Sequence, residues 1–260
     1  MGGLGIIKIT QNPVRVKLHS GQPTVGSWLT LCSPVAAENM AAVGWDWLVV
    51  DAQHSPVGFD TMVNCFRAIQ LGGAVPMARV PWNDTVWIQR TLDAGALGLV
   101  IPMINTVADA EQAVANTKYA LRGQRSYTSG RMRRYTEGDY ISWADENIAV
   151  IVMIETVEAA QNAEKILAVP GVDGCFIGPA DLALSMGLRP EQAGNHPEHE
   201  ALMQQVLAAG KKVGTAVGKH CSDADEVNLR IAQGFQFLAL ASDGALMLRE
   251  ATAQFKRLKL

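Results

Sequence analysis

A closed parallel barrel of eight strands, a single-domain (β/α)8 TIM barrel of the α/β class, is the fold that this sequence predicts. Three observations carry the prediction. Short apolar runs recur, each followed by a polar or Gly/Pro break and then an amphipathic stretch at helical spacing. The runs number eight and are rich in Val, Ile and Leu, as expected of parallel strands covered on both faces. The length of 260 residues suits one barrel, and no Ser/Pro/Gly linker or low-complexity segment divides it. An open doubly wound sheet is the competing architecture. It would carry a glycine-rich phosphate turn after its first strand, where this chain reads LTLCSPVAAEN.

Taken in order, residues 1–23 are an N-terminal extension, and the barrel occupies the rest of the chain. Strand one is VGSWLTL (25–31), followed by the helical pattern 34–43. DWLVV (46–50) leads into 59–70, AVPMARV (74–80) into 86–95, and GLVIPM (98–103) into 107–120. AVIVMI (149–154) precedes the helical spacing of VEAAQNAEKIL (157–167), and GCFIG (174–178) precedes 199–210. KVGTAV (212–217) is read as strand seven before helix 223–233, and 236–241 as strand eight before a C-terminal helix over 245–258.

Composition narrows the partners. With 48% hydrophobic and 18% charged residues and a net charge of −3, the chain has no broad basic surface for nucleic acid or anionic lipid. A small-molecule partner is expected. Cys32, Cys65, Cys175 and Cys221 are scattered without a CxxC pair, which favours reduced structural thiols in the cytoplasm. MGGLGIIKITQNPVRVKL lacks the apolar core of a leader, and its Met-Gly start lacks the Ser or Thr that myristoylation wants at position six. No apolar run reaches the ~18 residues of a membrane span.

In such a barrel, polar residues at strand C-termini and just beyond them build the site. They are Asp51-Ala52-Gln53-His54 after strand two, Arg79 closing strand three with Trp82-Asn83-Asp84 beyond it, Glu155 after strand five, and Gly178-Pro179-Ala180-Asp181 after strand six. Glu155 and Asp181 lie 26 residues apart, one β/α unit, at the ends of strands ~4.8 Å apart. Two carboxylates that close need a shared proton or a cation, and oxygen ligands suit Mg²⁺, Mn²⁺ or a similar divalent ion. The alternative is that both acids cap helices, although Thr156 is the better cap for VEAAQNAEKIL and would leave Glu155 free. Arg79 either points into the mouth, where it would stabilise an oxyanion, or makes a rim salt bridge. His54 either moves protons near neutral pH, with Asp84 orienting its ring, or is structural. His19, His196, His199 and His220 carry weaker signals, His220 simply preceding the last-but-one helix.

With DAQH, MARVPWND, IET and FIGPADL in this order at strand ends, the chain resembles the HpcH/HpaI aldolase/citrate lyase family over about residues 24–255, and within it the 4-hydroxy-2-oxoheptanedioate aldolases. The resemblance implies a class II pyruvate aldolase, a carbon-carbon lyase that uses Mg²⁺, Mn²⁺ or Co²⁺ and takes a 2-oxo acid and an aldehyde. It implies Glu155 and Asp181 as metal ligands, Arg79 on the keto oxygen, and His54 with Asp84 as the proton-transfer dyad. Gly178, Pro179, Ala180 and Asp181 match the cradle for the pyruvate carboxylate, a role that suits the free N–H groups of a helix N-terminus. Trp28 joins the substrate-binding set, and Asp51 and Gln53 stand behind His54. A homo-oligomer, trimer or hexamer, is also implied, with helix 245–258 either packing on a neighbour or closing its own barrel.

Two positions depart from the family pattern: Gln53 stands where many relatives have an acid, and Met153 where many have Gln. The segment 125–140, with Arg125, Arg131, Arg133 and Arg134, reads as a solvated or interface loop, or as one that meets an acidic aldehyde. Three other functions compete. They are a CoA-ester lyase of the citrate lyase β type, a Schiff-base aldolase using Lys219, and an idle barrel used for binding.

Overall fold

The computed structural model describes residues 8–128 and 130–259, apart from the side chains of Ala193 and Asn195. Residues 1–7, on which the expectations about a leader and acylation partly rest, lie outside the described residues. Among those described, eight parallel strands close in chain order into the expected barrel. They are β1 (Thr24–Leu29), β2 (Trp47–Asp51), β3 (Val75–Arg79), β4 (Gly98–Ile101), β5 (Ala149–Ile154), β6 (Gly174–Ile177), β7 (Ala216–Cys221) and β8 (Phe237–Ser242). The last strand returns to the first with Thr24 beside Phe237.

The outer layer is formed by α2 (Pro34–Ala41), α3 (Phe59–Leu71), α4 (Thr85–Ala94), α5 (Val107–Thr117), α7 (Val157–Leu167), α9 (Pro197–Val213) and α10 (Ala224–Gln233). To these the structure adds α1 (Pro13–His19) in the N-terminal extension, α6 (Tyr140–Asn147), the short α8 (Pro179–Ser185) and α11 (Asp243–Phe255). Every residue of β2, β4, β5 and β6 is buried, which is why those strands read as continuous apolar runs. Inside the barrel Trp47 stacks on Phe237 with ring centroids 4.2 Å apart. Among the described residues no helix is long and apolar enough to cross a membrane.

Three expectations are corrected. Strand seven does not span 212–217, because α9 continues through Lys211-Lys212-Val213 and stops at Gly214, whose φ of 76° is the left-handed cap that glycine adopts without strain. The strand starts at Ala216, so Lys219 and His220 belong to it. The arginine-rich segment is anchored: Arg125 is buried, donating to Asp93 at 2.8 Å and to the Tyr140 hydroxyl at 3.2 Å, with its guanidinium 4.7 Å from the Tyr119 ring. Arg133 and Arg134 alone of the four stay exposed. Finally, α11 does not close its own barrel. Only Asp243 of its 13 residues is buried, while Met247, Leu248 and Phe255 are exposed by 58%, 67% and 65%.

The N-terminal end of the barrel is tied by Asp173, just before β6. Its buried carboxylate accepts from Arg15 at 2.8 Å, from the Val150 N–H at 2.9 Å, and meets the His19 ring at 2.7 Å. Burial works to raise its pKa, but His19, Arg15 and the Val150 N–H outweigh that and hold it below the usual aspartate value. A lowered folded pKa contributes stability above the unfolded value of about 3.9, and that stability is lost as pH falls through the folded value. Asp173→Asn is expected to cost about 2 to 4 kcal/mol near neutral pH and to flatten the acid limb of stability, measured by urea unfolding at several pH values.

Candidate active site

The C-terminal ends of the strands enclose a cavity of 310 Å³. Its lining comes from around the barrel: Trp28 and Thr30 at β1, Asp51 at β2, Arg79 at β3, Met153 on β5, Phe176 and Gly178 through Asp181 at β6, His220 on β7 and Ser242 on β8. Larger cavities exist elsewhere, including 390 Å³ around Arg15 and His19, but that one lies at the opposite end, where barrels build stability and not chemistry.

Arg79 points inward. The β2–β3 register sets Asp51 directly beside it, and the guanidinium forks onto that carboxylate, Nε to Oδ1 at 2.9 Å and Nη2 to Oδ2 at 2.7 Å. Its Cζ stands 4.6 Å from the centroid of Trp28, whose ring meets Phe176 edge-on at 5.4 Å. Asp51 also accepts from the backbone N–H groups of Gln53 at 3.0 Å and His54 at 3.3 Å. Burial pushes the Asp51 carboxyl up, and the Arg79 hydrogen bond and charge more than reverse it, so the acid stays ionised. The fork holds the planar guanidinium in one orientation.

Glu155 is buried at the end of β5 and does not cap α7; that role falls to Thr156, which accepts from the Ala159 N–H at 3.0 Å. One Glu155 oxygen accepts from the Met103 N–H at 2.7 Å. Burial and the charge of Asp181 raise its pKa, against the Met103 N–H and Arg79. Asp181 lies in the first turn of α8, exposed at the mouth, and no described residue donates to its carboxylate. Gly178 caps that helix without a side chain, and Pro179 opens it.

The two acids therefore interact, one held by a single backbone donor and the other open. No group of three or more His, Cys, Asp or Glu among the described residues could hold a metal by itself. Two carboxylates do match a hard divalent ion that keeps waters and takes the rest of its ligands from substrate oxygens. The donor set fits such an ion.

Other expected residues are placed differently. His54 is exposed, and neither it nor Asp84 lines the cavity. The Asp84 carboxylate caps α4, accepting from the Trp87 N–H at 2.9 Å, and no hydrogen bond joins it to His54 among the described residues. The Gln53 amide oxygen is buried without a partner among the described residues. Lys219 is buried on the helix side of β7 in an ion pair with Glu226 and does not line the cavity, so its amine is not presented to a substrate carbonyl.

The HpcH/HpaI aldolase/citrate lyase family model matches residues 24–250. The chain belongs to this family. A hydroxypyruvate/pyruvate aldolase of Rhizorhabdus wittichii is 38% identical over 91% of this chain and 94% of its own length. A 4-hydroxy-2-oxo-heptane-1,7-dioate aldolase of Shigella sonnei is 37% identical over 94% of this chain and 93% of its own. The crystal structure of an HpcH/HpaI family protein from Burkholderia cenocepacia superposes with a TM-score of 0.91 at 34% identity, covering 96% of this chain and all of that one.

Within this HpcH/HpaI barrel, Thr30, Met103, Phe176, Ser242 and His220 are site residues that the sequence reading did not single out. A signal existed for His220 alone: Gly214 after two lysines marks a helix end, which moves the apolar run AVGKHC into the strand. Gly178 sits so close to Glu155 that an added Cβ would lie 2.8 Å from Oε2 and 2.9 Å from its Cβ. Gly178→Ala is expected to displace the Glu155 carboxylate and weaken divalent-ion affinity at least about tenfold by titration calorimetry, with the far-UV circular dichroism unchanged.

Proposed function

We propose that this family member is a divalent-metal-dependent aldolase that makes or cleaves a C–C bond between the enolate of pyruvate or hydroxypyruvate and an aldehyde, acting on 4-hydroxy-2-oxo acids. The observation that carries this reading is that Arg79 and Asp181 line one cavity at the barrel mouth, with the buried Glu155 near enough to feel the charge of both. The names of the curated relatives support it. A cytoplasmic location goes with it, supported by four cysteines with free thiols.

In this reading Glu155 and Asp181 hold Mg²⁺, Mn²⁺ or Co²⁺, and a cation between them relieves both the burial of Glu155 and its repulsion by Asp181. When bound, the ion supplies Lewis-acid polarisation of the 2-oxo group. Arg79, locked by Asp51, places fixed positive charge where the enolate oxygen develops. The N–H groups of Ala180 and Asp181, free in the first turn of α8, donate to the pyruvate carboxylate above Gly178 and Pro179. Trp28 and Phe176 wall the site and thin the water around it. Proton transfer falls to His54 with Asp84 in this reading, although the two do not pair within one chain.

Cleavage of a 4-hydroxy-2-oxo acid, followed by pyruvate release in a coupled assay, is expected to require added Mg²⁺, Mn²⁺ or Co²⁺ and to vanish with chelator. Asp181→Asn should lower that rate by about 10³-fold or more and weaken metal affinity in parallel. An unchanged rate in Asp181→Asn would remove the carboxylate from the chemistry.

The reading also includes a homo-oligomer, a trimer or hexamer, in which α11 packs on a neighbouring barrel. Its exposed Met247, Leu248 and Phe255, with Leu258 just beyond its end, form an apolar set that its own barrel does not cover, and Val35 and Val43, in and just after α2, are exposed as well. Light scattering after gel filtration should show an assembly for the native chain. Leu248→Glu combined with Phe255→Glu should shift it to a monomer.

A further inference from the structure

We propose that His199 is a positioning residue for the divalent-ion site, because it holds the carbonyl of Pro179 and with it the turn that presents Asp181. The inference rests on the aldolase reading, which makes Asp181 an ion ligand, and deepens it. His199 stands in the first turn of α9 and is only 1% exposed. Its Nε2 lies 2.8 Å from the Pro179 oxygen. A carbonyl can only accept, so Nε2 carries the proton and donates it. The other ring nitrogen, Nδ1, is buried with no partner among the described residues. An apolar side chain would fill the same place without leaving a polar atom unpaired, so what the ring adds there is the single bond to Pro179.

That bond falls where α8 has least else to hold it. A helix of seven residues is too short to stand by itself and depends on tertiary contacts. Its second half has them: Leu182 and Ala183 are buried, and the Ser185 hydroxyl accepts from the Val157 N–H at 2.9 Å. Its first turn has few. Ala180 and Asp181 are exposed, Gly178 has no side chain to cap the turn, and Pro179 has no N–H to donate. From below, the Gly178 N–H reaches the Ile154 carbonyl at 3.2 Å. Among the described residues, His199 is the only side chain that hydrogen-bonds to residues 178–182. It is carried by a firm element, since α9 runs for 17 residues and buries Met203, Val206 and Leu207.

The two acids of the ion site are therefore held in different ways. Glu155 is fixed at its carboxylate by the Met103 N–H at 2.7 Å. The Asp181 carboxylate has no such donor, so its place is set by its backbone, and that backbone is set by Gly178 below and His199 behind. Removing the His199 donor spreads Asp181 over positions that do not meet the ion together with Glu155. Ion binding weakens, while the chemistry of the loaded site is unaltered.

Two substitutions separate the donor from the ring. His199→Leu fills the volume and removes the N–H, whereas His199→Gln sets an amide N–H where Nε2 stands; His199→Met replaces the leucine variant if that one does not fold. By titration calorimetry with Mn²⁺, His199→Leu is expected to bind about tenfold more weakly and His199→Gln to stay within about threefold of the native protein. In the pyruvate-release assay the Mn²⁺ concentration for half-maximal rate should rise by the same factor in His199→Leu, with kcat at saturating Mn²⁺ within about threefold of native. In the metal-free proteins, deuterium uptake over residues 178–186 should rise in His199→Leu and match the native protein in His199→Gln. Native Mn²⁺ affinity in the leucine or methionine variant overturns the assignment. So does an equal loss in His199→Gln, which would give the effect to the packing of the ring. If the native protein binds no Mn²⁺ and cleaves no 4-hydroxy-2-oxo acid, the aldolase reading fails instead, and deuterium uptake still decides whether His199 holds the turn.

Discussion

A guanidinium forked onto a buried carboxylate, with an indole against its face, decides where positive charge stands in the mouth of this barrel. Arg79 is oriented by Asp51 through two hydrogen bonds and by Trp28 at 4.6 Å. An ion pair of this kind adds little net stability, since desolvating both charges offsets most of their attraction. What it supplies is direction. A planar group pinned along one edge and against one face is held in place, so it acts as a fixed field at the point where an oxyanion forms. The same field offsets part of the burden that burial and Asp181 place on Glu155.

The backbone around the mouth carries strain to match. Cys32 beyond β1, Met103 beyond β4 and Ala241 on β8 adopt φ values of 52°, 56° and 50°, a region that costs a side-chain-bearing residue about 1 to 2 kcal/mol. At Met103 the result is visible: its N–H reaches the buried Glu155 oxygen at 2.7 Å. The opposite end of the barrel is tied down by α1 and Asp173, with the Asn12 amide donating to the carbonyls of Leu97 at 2.8 Å and Asn147 at 2.9 Å. Stability is concentrated at one end and strained, polar groups at the other.

Much of this was legible before any coordinates. Thr156 is a better cap than Glu155, and it does cap α7, which leaves Glu155 free. Gly178-Pro179 reads as a strand end followed by a helix start, and it is one. The fork between Asp51 and Arg79 was not legible, because which side chains of neighbouring strands meet is set by the β2–β3 register. His54 drew attention by its neighbours in the chain, yet its side chain is exposed, while His220 entered the cavity once the start of β7 moved from 212 to 216.

The sequence by itself determined the alternation of strand and helix, the closed barrel, and which acids stand at strand ends, because these follow from local periodicity and from the stop signals of Gly and Pro. Tertiary structure decided which partner each charge has, which histidine faces the cavity, and that the apolar residues of α11 stay uncovered by its own barrel. The physical reason is that side chains alternate with a period of two along a strand. A shift of one residue in strand position or register exchanges the inward and outward faces, and only the packed sheet chooses between them.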